Sequence, residues 1–155
     1  MKSSSPKLPL THEERVRLRE SRTKLKDIAR TNPTEISNVL GSTLERAQFL
    51  CALASFQSIP SIGPRAAQWV LDLGYYSLDE IKEENGSDLI NRLEEHYGYW
   101  MDPCVEDALR CIVYHANNPN SEKCWFDFTE ERKTYRAQYG YPTGRPSLAW
   151  YDVHK

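Results

Sequence analysis

The stretch Ser58-Ile59-Pro60-Ser61-Ile62-Gly63-Pro64-Arg65-Ala66-Ala67 decides the fold. A proline, then an apolar residue and glycine, then a helix opening on proline and small residues, specify a tight turn between two helices. Gly63 supplies backbone freedom or close approach. Pro64 suits a first helical position, where its missing amide would have had no helical partner. Ala66 and Ala67 let the two helices pack closely, and Ile59 and Ile62 are expected to point inward and anchor the turn.

Outward from the turn, helical spacing recurs and strand alternation is absent, so the chain reads as all-α. Leu44 to Phe56, with apolar residues at 44, 47, 49, 50, 51, 53, 54 and 56, reads as a central helix buried on most sides. Ser42-Thr43 caps it, and Gly41 ends the helix before, which opens at Asn32-Pro33 and carries Ile36, Val39 and Leu40. Thr11 with Glu14 has capping-box spacing and starts a first helix running through Arg15, Val16, Leu18 and Arg22 toward Leu25 and Ile28. Its arginines lie all round the helix, which suggests a solvated, loosely docked arm.

Beyond the turn, Pro64 to Gly74 forms a fourth helix. Ser77 caps a fifth through Leu78 and Ile81, Ser87 a sixth through Leu89, Ile90 and Leu93, and Asp102-Pro103 opens a seventh through Val105, Ala108, Ile112 and Val113. Leu25, Ile28, Ile36 and Leu40 share their spacing with Leu78, Ile81, Leu89 and Leu93. Leu44-Glu45-Arg46-Ala47 likewise echoes Val105-Glu106-Asp107-Ala108 once an eight-residue insertion is allowed. The echo suggests two similar helix clusters packed on the buried third and fourth helices. After the loop at Asn117–Ser121, Trp125, Phe126 and Phe128 precede a helix capped at Thr129 and ended at Gly140. An extended Pro/Tyr/Trp-rich end from Tyr141 to Tyr151 is then expected to lie across the helical body as a strap. Three parts follow: a basic helical arm (1–30), a core domain (31–116), and a C-terminal helix and aromatic strap packed on the core (117–155).

The turn resembles the helix-hairpin-helix motif of DNA-binding and repair proteins. The wider stretch from Leu25 to Asp127 is similar to the small bacterial proteins of the pathogenicity-locus helix-hairpin-helix family. That similarity is carried by Gln57 to Gly63, Gly74-Tyr75-Tyr76-Ser77-Leu78, Asp102-Pro103-Cys104-Val105-Glu106-Asp107 and Trp125-Phe126-Asp127-Phe128-Thr129. The resemblance implies a helix-hairpin-helix (SAM-like) bundle, a bacterial source, and a turn that holds phosphate without reading bases. It implies fold more than activity. In such a turn the amides of Ile62, Gly63, Arg65 and Ala66 converge at a helix N-terminus, where the dipole favours an anion. Arg65 adds a charged fork. The residues expected to touch double-stranded DNA are therefore Ser61, Ile62, Gly63, Arg65 and Ala66, as backbone contacts.

Charge distribution complicates this picture. The net charge is −2, yet residues 1–30 hold nine Lys/Arg against four Asp/Glu, and residues 40–100 hold four against nine. Ser61 stands where many DNA-binding hairpins have glycine, and Pro64 removes a donor. Phosphate neutralisation dominates affinity for nucleic acid, so Arg15, Arg17, Arg19, Arg22, Lys24, Lys26 and Arg30 matter if the arm folds beside the turn. A protein–protein adaptor on the same scaffold is the alternative, and the charge pattern around Arg65 discriminates between the two.

Other chemistry is weakly supported. Cys104 sits at a helix start, which favours a thiolate, but Asp102, Glu106 and Asp107 crowd it with negative charge. Cys104, Cys111 and His115 can share a helix face but lack the paired short spacings of zinc sites. Arg132, Lys133, Arg136 and Arg145 interleave with Tyr135, Tyr139 and Tyr141, a mixture suited to bases, to a protein partner or to strapping the protein's own surface. No enzyme motif, cofactor or metal is expected. With no run near the roughly 18 apolar residues of a spanning helix, no apolar leader, and four dispersed cysteines, the sequence reads as a cytoplasmic protein with free thiols and no membrane contact. Oligomeric state is not legible.

Overall fold

The computed structural model describes residues 5–153. The first four residues of the basic arm and the last two of the strap lie outside that range. The described chain is mostly helical, and its one pairing of extended backbone is an isolated parallel bridge between Trp100 and Ala149.

The N-terminal arm is fastened more firmly than its arginines suggest. Its helix α1 (His12–Glu20) has the full Thr11/Glu14 capping box but does not continue to Leu25. Arg22 turns into the left-handed region at φ 59°, the Thr23 amide returns to the Leu18 carbonyl at 2.9 Å, and a separate 3₁₀ turn, η1 (Leu25–Arg30), follows. Leu8 and Leu18 enter the core. The nearly buried Glu14 carboxylate receives Arg46 Nε at 3.1 Å and Nη2 at 2.9 Å. Lys7 and Gln57 exchange two hydrogen bonds of 2.9 Å.

Two similar halves follow. In the first, η1 and α2 (Pro33–Leu40) lead into the long α3 (Leu44–Gln57), which buries Ala47, Leu50, Leu53 and Phe56. In the second, α5 (Leu78–Ile81) and α6 (Gly86–Tyr97) lead into the long α7 (Pro103–Asn117). The echoed positions Ile28, Ile36 and Leu40 are buried, and so are Ile81, Leu89 and Leu93. A left-handed glycine, Gly41 or Gly98, ends the middle helix of each half. Between the halves, α4 (Pro64–Asp72) buries Ala66, Ala67, Val70 and Leu71.

Two caps differ from the sequence reading. Asn85, not Ser87, caps α6: its side chain accepts from the Asp88 amide at 2.9 Å, and the Ser87 hydroxyl donates to it at 2.7 Å. Thr129 lies inside α8 (Thr129–Tyr139), which has no side-chain cap. The Thr129 hydroxyl donates instead to Asp107 at 2.9 Å.

The C-terminal segment folds back over α6 and α7. A 3₁₀ turn, η2 (Trp125–Phe128), buries Phe128 while Phe126 stays 57% exposed, so the three rings do not share one fate. Arg132 on α8 reaches Asp107 at 2.7 Å, Arg136 reaches Glu106 at 2.8 Å, and Arg145 reaches Glu94 at 2.8 Å. All three carboxylates are 1% exposed. The far end is pinned by backbone bonds of 2.8 Å from Trp100 N to Leu148 O and from Trp150 N to Trp100 O. A short helix, α9 (Trp150–Val153), closes the described chain.

Candidate functional site

The turn between α3 and α4 is shaped by residues other than the expected glycine. Ser61 takes the left-handed conformation at φ 69°. Gly63 lies at φ −96°, and a Cβ placed on it would meet nothing within 4 Å. Gly63 is thus needed neither for a positive φ nor for a close approach by the protein's own atoms. Ile59 and Ile62 are buried and anchor the turn.

Of the residues expected to contact an anion, the structure leaves some open and occupies others. The Ile62 amide donates to the Ile59 carbonyl at 3.1 Å and is therefore spent. The Ser61 hydroxyl accepts from the Trp125 amide at 2.9 Å, which ties the turn to η2 and leaves the hydroxyl proton for another acceptor. Gly63 has no side chain to cap α4, so the amides of Arg65 and Ala66, at the second and third helical positions, get no acceptor from it. The Arg65 side chain is exposed and has no carboxylate partner among the described residues.

Neighbouring charge is more favourable than the bulk count for residues 40–100 suggests. No acidic residue lies between Glu45 and Asp72, and the other eight acidic residues of that region fall at 72–95, from the end of α4 through α6. One of these, Glu94, is buried against Arg145. Lys26 and Arg30 of η1 line a cavity of about 310 Å³ together with Gln57 and Ser58, at the entrance to the turn. That convergence needs the fold of η1 against α3 and is invisible in sequence. By contrast, Arg132, Arg136 and Arg145 are committed to carboxylates of their own chain, and Arg145 and Arg136 also lie over the Tyr141 ring at 3.8 and 4.3 Å.

The thiols are placed for packing. Burial, with the Asp102 carboxylate beside it, pushes the Cys104 thiol up to about 11, so it carries little thiolate at neutral pH. Cys111, buried and raised to about 12, donates to the Lys123 carbonyl at 3.7 Å, and His115 Nε2 donates to the same oxygen at 2.7 Å. Their donors thus fasten the chain ahead of η2 to α7.

The model of the pathogenicity-locus family, Cdd1, matches residues 50–134, 85 of the 155 residues. The chain belongs to that family. The matched segment of this pathogenicity-locus protein opens within α3 and includes the whole α3–α4 turn, α4 to α7, η2 and the first half of α8. No curated protein and no solved structure matches the chain. No described helix is long and apolar enough to cross a membrane.

Proposed function

We propose that this protein is a non-enzymatic binding module that holds the phosphate backbone of double-stranded DNA, without reading sequence, through a helix-hairpin-helix formed by α3 and α4. The observation that carries this reading is the open N-terminus of α4, where the uncapped amides of Arg65 and Ala66 stand beside the exposed, unpaired Arg65 side chain. Backbone N–H groups and the positive end of a helix dipole favour an anion there, and a guanidinium adds a charge-assisted bond to phosphate oxygen. Gly63 lets a phosphate approach an unobstructed backbone, and Ser61 offers its hydroxyl proton. Ile62 contributes as an anchor and not as a donor. Contacts of this kind position a duplex and carry no base information. Loss of salt-sensitive duplex binding on Arg65→Glu is the direct test.

A second reading, a protein-interaction adaptor, is favoured by the exposed side chains of the C-terminal segment: Phe126 at 57%, Tyr139 at 65%, Leu148 at 50% and Tyr151 at 51%. Aromatic residues are enriched at protein–protein contacts. A pull-down partner lost on Tyr139→Ala or Tyr151→Ala, with DNA binding absent, would select this reading.

A further inference from the structure

Two cavities meet along α3 where it faces η1. The larger, about 570 Å³, is lined by Thr31, Glu45, Gln48, Cys51, Tyr76 and Ser77 among others. The smaller, about 310 Å³, includes Lys26, Arg30, Gln57 and Ser58. Ala29 and Ser55 line both, so the two form one groove with an aromatic end and a cationic end. Its larger part falls within the roughly 300–1,000 Å³ range of small-molecule sites. Tyr76 is 49% exposed.

The cations call for an explanation. Lys and Arg near the end of a helix ordinarily neutralise its last carbonyls. Here two of those carbonyls already have donors. Ser55 O accepts from Ser58 N at 3.1 Å and from the Ser58 hydroxyl at 2.6 Å, and Phe56 O accepts from Ile59 N at 3.3 Å. Neither Lys26 nor Arg30 has a carboxylate partner among the described residues. Asp27, on the same 3₁₀ turn, does not line the groove, and Glu45 sits at the opposite end. Nor does the fold demand positive charge here. By the echo between the halves, Asp79 and Glu83 hold the positions in the second half that Lys26 and Arg30 hold in the first.

A nucleotide joins a phosphate to a planar base, which matches these two ends. We infer that the groove takes a single unpaired nucleotide, its phosphate at Lys26 and Arg30 and its base against Tyr76. Stacking on an aromatic ring is tolerant of base identity. Glu45 accepts from an exocyclic amino group of the base, and the Gln48 amide can donate or accept. For the source of that nucleotide the inference rests on the DNA-binding reading. The nucleotide belongs to a gap or overhang in a duplex whose backbone lies on α4.

The test uses the full chain and three probes at low salt: a blunt duplex, the same duplex with a one-nucleotide overhang, and a free 5′-mononucleotide. Anisotropy reads the duplexes, and amide chemical shifts read the mononucleotide. The overhang duplex should bind about tenfold more tightly than the blunt one, the gain expected for one stacked base. Tyr76→Ala and the Lys26→Glu/Arg30→Glu pair should each erase that preference without changing the melting temperature, whereas Arg65→Glu weakens both duplexes. Equal binding of the two duplexes, or a preference that survives Tyr76→Ala, overturns the groove and leaves the α4 site standing. Mononucleotide shifts at Ala29, Tyr76 and Ser77 with no duplex binding uphold the groove and overturn the α4 site. Silence from all three probes overturns both.

Discussion

Arg145 closes on Glu94 as a two-pronged pair, with Nε 2.8 Å from Oε1 and Nη2 3.0 Å from Oε2. Glu94 also accepts the Met101 amide at 2.8 Å, so a carboxylate only 1% exposed has three donors. Asp107 repeats the device with Arg132, while Glu106 takes Arg136 Nε on one oxygen and Nε of Arg110, on its own helix, on the other. The C-terminal segment is thus held by charges buried in the helical body, and Glu94 and Asp107 would lose their arginines without it.

Arg145→Ala should therefore be strongly destabilising. Removing one partner of a buried pair costs about 3–5 kcal/mol, and the lower end applies because the Arg145 side chain is 22% exposed. Arg145→Lys should rescue only partly, since an ammonium cannot reproduce the fork. Urea unfolding checks both. A loss below about 0.5 kcal/mol, the range of an exposed pair, would show that the strap is not held this way.

Gly86, and not Gly63, should be the glycine that close packing requires. A Cβ on Gly86 would run into Arg110 Cγ and lie 3.0 Å from the Arg110 Cα and N, where α6 crosses α7. Gly86→Ala should lose about 1–3 kcal/mol to overpacking, despite the better helix propensity of alanine. Gly63→Ala, with open space and φ −96°, should melt like the wild type. Thermal melts of the two variants side by side decide the matter, and the reverse order would refute the packing described for α6 and α7.

Acid should loosen the N-terminal arm. The Arg46 guanidinium, together with the Thr11 cap, holds the Glu14 carboxyl below its ordinary value of 4.5. A carboxyl depressed in the folded state stabilises above its unfolded value, and that contribution is lost as pH falls through the lower folded one. The wild type should thus be more stable than Glu14→Gln near neutrality, with the gap narrowing below about pH 4.5. A gap constant down to pH 3 would mean that the charge on Glu14 contributes nothing.

Most helix starts and stops were legible because they are set by local chemistry. Thr11 with Glu14, Asn32-Pro33, Thr43, Ser77 and Asp102-Pro103 act within three residues of themselves, and Gly41 and Gly140 end helices where a positive φ is needed. The echo of apolar spacings was legible for the same reason. Features set by distant partners were hidden. Glu94, Glu106 and Asp107 look like solvated helix charges until arginines 51, 30 and 25 residues away arrive. The Ser61 hydroxyl looks free until Trp125 is folded onto it. Lys26 and Arg30 belong to an arm whose docking beside Gln57 depends on η1 packing against α3.

The most direct test of the DNA-binding reading is a salt titration of duplex binding by the wild type and Arg65→Glu. If α4 and its neighbours neutralise about three phosphates, wild-type affinity should fall some tens-fold between about 50 and 200 mM salt. Arg65→Glu should weaken binding alike for unrelated sequences and reduce the salt slope, with an unchanged melting temperature because the side chain is exposed and unpaired. No measurable binding by the wild type at low salt, or affinity and slope untouched by Arg65→Glu, would contradict the account.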